Sequence, residues 1–388
     1  MLDCGLLLPM NHPLRALYLD VKFPRPDRDS ASIRATQCLG FLASRGPLDM
    51  ASLTYHGLDG PASSAVEGVA RFGARLVCPP GMDRIREFLR DEGAAYHTVV
   101  FAWSRTATAL MAAVRDIAPQ AYLVFDTVDV NHVRLFRQAR ATGNARRMRE
   151  ALSIREAEKL AMSMADLTIA ITDADRDVLR ALMPEARVET VSQWHEPVAL
   201  TRVPSAAPTV LFVGYYQAAP NQDLAPLLAH EVMPAVWAQF PAARLCLAGS
   251  EPGPEILVLA GPGVEVPGWE ADLGPRLAAA HVYAAPLRFG AGIKGKILQA
   301  MAWGIPLVAS SVAVEGIGLV PERDFILAES PAACAEGILR ILTAPALGGR
   351  LAAGAGAVLR ARFSRQAVLA QYAAAFAGAP GFAPSGLP

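Results

Sequence analysis

The stretch VYAAPLRFGAGIKGKILQAMAWGIPLVAS, residues 282–310, contains a whole structural unit. A short apolar run over 282–286 reads as a buried strand. A glycine-rich turn follows, then a helix over 296–303 that Gly304 terminates as a C-cap, then a second apolar run over 307–310. Two strands joined through a helix form a parallel pair, because parallel strands need a crossover connection. The turn GAGIKGK sits where such a unit binds phosphate. Gly290 and Gly292 let the backbone come close, Ile293 walls the turn, and the helix start offers free N–H groups and the positive end of its dipole. Arg288, Lys294 and Lys296 add three cations with no acid between them. Only four of the 36 basic residues in the chain are lysines, so two of them here is a concentration. Lysine differs from arginine in being a compact point charge suited to a small oxyanion. A solvated basic turn is the bland alternative; a diphosphate accounts better for three like charges. The turn is not a P-loop, and no G-x-G-x-x-G opens the first strand–helix unit.

Outward from this unit the same alternation fills the chain. Upstream, strands are expected over 16–21, 50–55, 75–78, 98–101, 122–125, 167–171 and 188–191, with helices over 82–90, 106–115, 147–164 and 173–182. Around the opening stretch, strands are expected over 209–213, 244–248, 264–266 and 325–328, with helices over 222–239 and 332–343. The fold class is therefore α/β, with two doubly wound parallel sheets covered on both faces. Periodicity lapses and prolines gather over 193–208, which reads as an interdomain linker. The expected domains are residues 1–198 and 199–363, with further helices over 347–362 and 364–376. Ligands of open parallel sheets sit beyond the carboxyl ends of the strands, so chemistry is sought in the loops that follow them.

The chain has 388 residues, 53% hydrophobic and 19% charged, and a formal net charge of zero. That describes a globular protein of more than one core, without the basic field that gathers nucleic acid. The five cysteines, Cys4, Cys38, Cys78, Cys246 and Cys334, form no C-x-x-C pair, which argues against a zinc site or a disulfide framework. The opening MLDCGLLLPM carries an acid where a secretion signal needs positive charge. With no apolar stretch near eighteen residues, a cytoplasmic location is expected.

The stretch from Ala285, together with LFVGYYQAAPNQD (211–223) and PGVEVPGWEADLGPRLAAAHVYAAPL (262–287), resembles the donor domain of glycosyltransferase family 4. These are the retaining group 1 transferases of the GT-B fold. PRPDRDSASIRA (24–35), FDTVDVNH (125–132) and VSQWHEP (191–197) resemble the N-terminal half of a bacterial branch. The resemblance implies a C-terminal domain that binds a nucleotide sugar, UDP- or GDP-linked, an N-terminal domain that binds a glycan, lipid-linked or small-molecule acceptor, and a final helix, within 364–378, that crosses back to join the first domain. It implies sugar transfer with retention and no required metal cofactor, in cell-surface polysaccharide or glycolipid synthesis. A peripheral contact with the inner face of the membrane would suit a lipid-linked acceptor; no nucleic-acid partner is expected.

The family's two glutamates of this loop fall on Ala291 and Gln299, and its Arg and Lys after the first donor-domain strand are missing. Arg288, Lys294 and Lys296 are therefore assigned to the diphosphate, and the Gln299 amide to ribose hydroxyls. Asp126 and Asp129 end an N-domain strand, as carboxylates for a sugar hydroxyl or as turn caps. Glu315 and Gly316 follow the strand over 307–310 and face the sugar or phosphate, or form an exposed loop. Gly214 and Asn221 belong to the first donor-domain loop; Asn221 and Asp223 are sugar contacts or helix caps. Trp269 stacks on the base or is an ordinary half-buried aromatic. Arg28, Asp29 and Ser30 are acceptor or phosphate contacts, with helix capping by Ser30 or Ser32 as the alternative, and Arg105 is an anion or acceptor contact. His195 is read as linker packing. A non-catalytic nucleotide- or glycan-binding module on the same fold is the competing function.

Overall fold

In the computed structural model, residues 14–26, 29–54, 69–77, 79–199, 202–290, 292–380 and 382 are described. Among them run thirteen strands: β1 Ala16–Asp20, β2 Leu48–Ser52, β3 Ala74–Leu76, β4 Thr98–Ala102, β5 Tyr122–Asp126, β6 Leu167–Ala170, β7 Val188–Thr190, β8 Thr209–Tyr215, β9 Arg244–Ser250, β10 Val264–Gly268, β11 Val282–Ala285, β12 Leu307–Ala309 and β13 Ile326–Leu327. They form a seven-stranded sheet in the order β3-β2-β1-β4-β5-β6-β7 and a six-stranded sheet in the order β10-β9-β8-β11-β12-β13. Each pairing between these strands is parallel. Counted from its own first strand, each sheet begins 3-2-1-4-5-6, the doubly wound dinucleotide-binding order, and its strand order reverses between first and fourth strand. Those two switch points, β1/β4 and β8/β11, decide where a ligand fits.

The sequence expectations hold for every strand to within a few residues, and the departures have causes. β2 begins at Leu48 instead of 50 because Asp49, polar but 3% exposed, belongs to it. Its carboxylate accepts from Arg15 Nε at 2.7 Å, Arg75 Nε at 2.8 Å and the Tyr96 hydroxyl at 2.7 Å. The helix expected over 222–239 is interrupted: Ala219–Leu227 and Met233–Gln239 flank a π-helical turn at Leu228–Val232. Pro226 lies within the first segment and Pro234 opens the last, and each removes a helical donor. Helices Ser30–Ala43 and Asn131–Thr142 were not singled out from sequence.

The unit quoted at the outset folds as a strand, loop, helix and strand. Its helix, Gly295–Ala302, ends on Gly304 at φ +63°, whose N–H donates to Met301 O while Ile305 N–H donates to Ala300 O, both at 3.0 Å. That paired closure is the Schellman motif, and glycine suits it because other residues resist the left-handed conformation.

The last long helix, Arg365–Ala375, packs on the first sheet's core. Tyr372 stacks on Phe41 with ring centroids 4.7 Å apart, and Phe376 meets Phe382 at 4.9 Å. Part of the proline-rich segment is also built in. Gln193 is fully buried against Ser30, and Trp194 N–H donates to Gln37 Oε1 at 2.9 Å. Among the described residues no single helix is long and apolar enough to cross a membrane.

Candidate active site

The carboxyl ends of the two sheets face one another across a cleft of ≈ 530 Å³. Its N-domain wall comes from the ends of β1, β4 and β5, through Lys22, Asp29, Trp103 and Asp129. Its C-domain wall comes from β8, β11 and the glycine-rich loop, through Gly214, Asn221, Leu287 and Gly292–Ile297. Both switch points therefore open onto one space, as open α/β sheets lead one to expect.

Lys294 and Lys296 both line this cleft. Lys294 is the N-cap of the Gly295–Ala302 helix and offers its amides no side-chain acceptor, so the positive helix end is left for another partner. Burial pushes both ammonium groups below the ordinary lysine range. For Lys294 the nearby Glu315, Asp129 and Asp175 oppose the shift, and for Lys296 it is Asp29. Lys294 Nζ donates to Gly292 O at 2.8 Å and lies 4.0 Å from Glu315 Oε2; Lys296 Nζ donates to Gln299 Oε1 at 3.3 Å. Buried ammonium groups this thinly partnered are well suited to meeting an anion.

Arg288 does not join them. Its guanidinium forks onto Asp223, its side chain is 63% exposed, and it lies outside the cleft lining. The three-cation cluster read from sequence is therefore a lysine pair. Asp126 is likewise corrected. It is fully buried and accepts from Arg34 Nε at 3.0 Å and Nη2 at 2.8 Å, while Arg34 also reaches Val191 O. Burial alone would lower the Arg34 pKa, but Asp126 outweighs it and raises it. With its oxygens held this way, Asp126 is framework, not a carboxylate for a sugar hydroxyl.

Asp129 does line the cleft. Its Oδ2 accepts from Arg134 Nε at 3.0 Å, and its buried Oδ1 has no hydrogen-bond partner among the described residues. That oxygen stands 2.8 Å from where a Cβ on Gly292 would be, so Gly292, at φ +64°, serves a close approach between the domains. Gly290, at φ +156°, and Ile293 hold the loop, and Ile293 is also part of the cleft wall. Ala291 lies outside the described residues, as does Arg28.

Five further residues are placed differently from their sequence readings. Glu315 is held by Arg137 of the opposite domain, outside the cleft lining, and that contact outweighs burial and lowers its pKa. Gly316 abuts the opposite domain, where an added Cβ would lie 2.6 Å from Thr172 Cβ, which makes it an interdomain contact in place of a donor contact. Trp269 is 40% exposed and lies outside the cleft lining, and Gln299 is half-buried and turned to Lys296. Asn221 caps no helix: Ala218 holds the N-cap position, and the Asn221 amide donates to Tyr215 O at 2.8 Å. Gly214 packs against Asn221, where a Cβ would come within 3.2 Å of it.

On the N-domain side Asp29, not Ser30, caps the Ser30–Ala43 helix by accepting from Ser32 N at 2.8 Å. Arg105 is exposed. His195 N–H donates to Phe363 O at 2.9 Å, and burial, helped by Lys296, lowers its imidazole pKa to about 4. Sequence reasoning missed Arg134, Arg137 and Gln138. Their i, i+3 and i+4 spacing on the helix after β5 was the available signal.

Residues 207–344 match the family model described as Glycosyl transferases group 1. No curated protein matches the chain in sequence. Solved structures match it in fold. Sucrose-phosphate synthase from Thermosynechococcus elongatus is 18% identical with a TM-score of 0.71, covering 94% of this chain and 98% of that one. Anabaena HepE, solved in complex with UDP-glucose, is 15% identical with a TM-score of 0.69, covering 94% and 100%. A glycosyltransferase from Rickettsia africae is 11% identical with a TM-score of 0.65, covering 97% and 100%. The chain has the GT-B fold, two parallel-sheet α/β domains about a cleft, and its second domain carries the group 1 glycosyl transferase match.

Proposed function

We propose that this chain transfers a sugar from a nucleoside-diphosphate sugar to a hydroxyl acceptor with retention of anomeric configuration. The observation that carries the reading is the pair Lys294 and Lys296, at an uncapped helix N-terminus beside the switch point of the second sheet. Anabaena HepE, of the same fold, was solved with UDP and glucose, which supports a UDP-linked donor; GDP remains the alternative.

In such a transfer the bond from the anomeric carbon to the diphosphate oxygen breaks, and a bond from the acceptor oxygen to the same carbon forms on the same face. The acceptor proton passes to the departing diphosphate. Negative charge grows on that leaving group, so fixed cations and backbone amides aimed at it accelerate the step, and no metal is required of them. Asp129, on the N-domain wall of the cleft, is the carboxylate we assign to a sugar or acceptor hydroxyl. The acceptor is a glycan, a lipid-linked sugar or a small molecule. The setting we propose is cytoplasmic synthesis of cell-surface polysaccharide or glycolipid, at or near the membrane's inner face.

The test is release of sugar from UDP-glucose, and from a panel of UDP- and GDP-sugars, with a chelator present. Turnover is expected, and Lys294→Ala with Lys296→Ala lowers it by about a hundredfold or more, the effect of losing an oxyanion donor elsewhere. Undiminished turnover in that variant overturns the assignment. Nucleotide binding without any turnover would make the chain a binding module.

A further inference from the structure

Arg137 belongs to the N-terminal domain, on the helix Asn131–Thr142, yet among the described residues each hydrogen-bond partner of its guanidinium lies in the other domain. Nη1 donates to Gly290 O at 2.9 Å and to Glu315 Oε2 at 2.5 Å, and Nη2 donates to Glu315 Oε1 at 2.7 Å. Gly290 opens the loop that carries Lys294, and the Glu315 carboxylate is also 4.0 Å from the Lys294 ammonium. One carboxylate thus stands between two cations, forked tightly by the arginine and loosely approached by the lysine. A bidentate guanidinium–carboxylate pair is shorter and stronger than a single ammonium contact at that distance.

We infer that Arg137 is a positioning residue for the donor loop: by holding Glu315 and the Gly290 carbonyl from across the cleft, it keeps Glu315 off Lys294 and leaves that ammonium to the donor's diphosphate. The inference rests on the proposed donor site and deepens it, because it makes the charge offered to the phosphates depend on apposition of the two domains. Without Arg137, Glu315 needs to move by little more than an ångström to close on Lys294 and neutralise it. The desolvated ammonium, which otherwise donates to Gly292 O, would favour that pairing.

Two measurements test this. UDP binding to the full chain, read by calorimetry, is expected to weaken about tenfold in Arg137→Ala, within the usual range of coupling between sites. It should weaken less in Arg137→Lys, and recover toward wild type in Arg137→Ala with Glu315→Ala, where nothing is left to close on the lysine. A merely structural arginine gives no such rescue. The second readout needs no nucleotide: with four lysines in the chain, the Lys294 ammonium can be followed by isotope-edited NMR through a pH titration. Its pKa is expected to rise in Arg137→Ala and to return in the double variant. An unchanged Lys294 titration in a folded Arg137→Ala protein, or a double variant that binds UDP no better than Arg137→Ala, overturns the inference. Should the titration shift while the wild type binds neither UDP nor GDP, the donor assignment fails and the positioning of Lys294 by Arg137 stands.

Discussion

Asp20 ends β1 with 4% of its surface exposed, and its Oδ1 accepts from Val21 N at 2.6 Å. Burial dominates over that bond and raises its pKa from 3.8 to about 7. The fold therefore binds the proton more tightly than the unfolded chain does. The stability this contributes is complete below pH 3.8 and is lost as pH rises through about 7. Asp20→Asn, which keeps the shape and cannot ionise, should raise Tm at pH 8 by roughly 2–4 °C for each kcal/mol recovered and leave Tm at pH 4 unchanged; calorimetry at the two pH values checks it. Such a residue is invisible in sequence, where an aspartate closing a strand reads as solvated. Lys294 and Lys296 were legible because lysine is scarce here and the glycines around them mark a close approach. Arg137 was not, since its partners lie more than 150 positions away and only the folded chain brings them within reach.

Gly295 opens its helix against the opposite domain, where an added Cβ would stand 2.3 Å from Ser30 Oγ and 2.4 Å from Gln193 Nε2. Alanine suits a helix better than glycine by about 1 kcal/mol, so Gly295→Ala gains locally while it obstructs the meeting of two elements. The expected outcome is transfer activity reduced at least about tenfold, with thermal stability of the second domain unchanged or raised, since small misplacements of reacting groups cost that much or more. Activity and a melting curve on the same preparation decide it; activity retained in full would mean the helix start has room to spare. Strands were easy to foresee because buried parallel strands are near-continuous apolar runs. What escaped was the start of β2, at its buried acid, and the interruption of a helix at its prolines, both cases where a distant partner or a missing donor overrides the local pattern.

The C-terminal helix ties the molecule's far end to its beginning. Phe376 is fully buried among Phe41, Tyr372 and Phe382, so Phe376→Ala should destabilise the first domain by about 3–5 kcal/mol. Hydrogen exchange should show amides of β1 and of the Ser30–Ala43 helix losing protection, although the substitution lies near the other end of the chain. Loss of protection confined to the helix Arg365–Ala375 would show that it docks without being needed. The two-sheet architecture was readable from alternating strands and helices, and its binding end from the rule for open sheets. The facing of those two ends follows from interdomain contacts such as Thr172 against Gly316, which no local pattern encodes. The returning helix also sets an order of events on the ribosome. Domains fold as units while the chain emerges, but here the half translated first lacks a piece of its own interior until the other half has passed. Its exposed aromatic surface must stay shielded through that interval, and stalled or shortened translation products are where aggregation would begin.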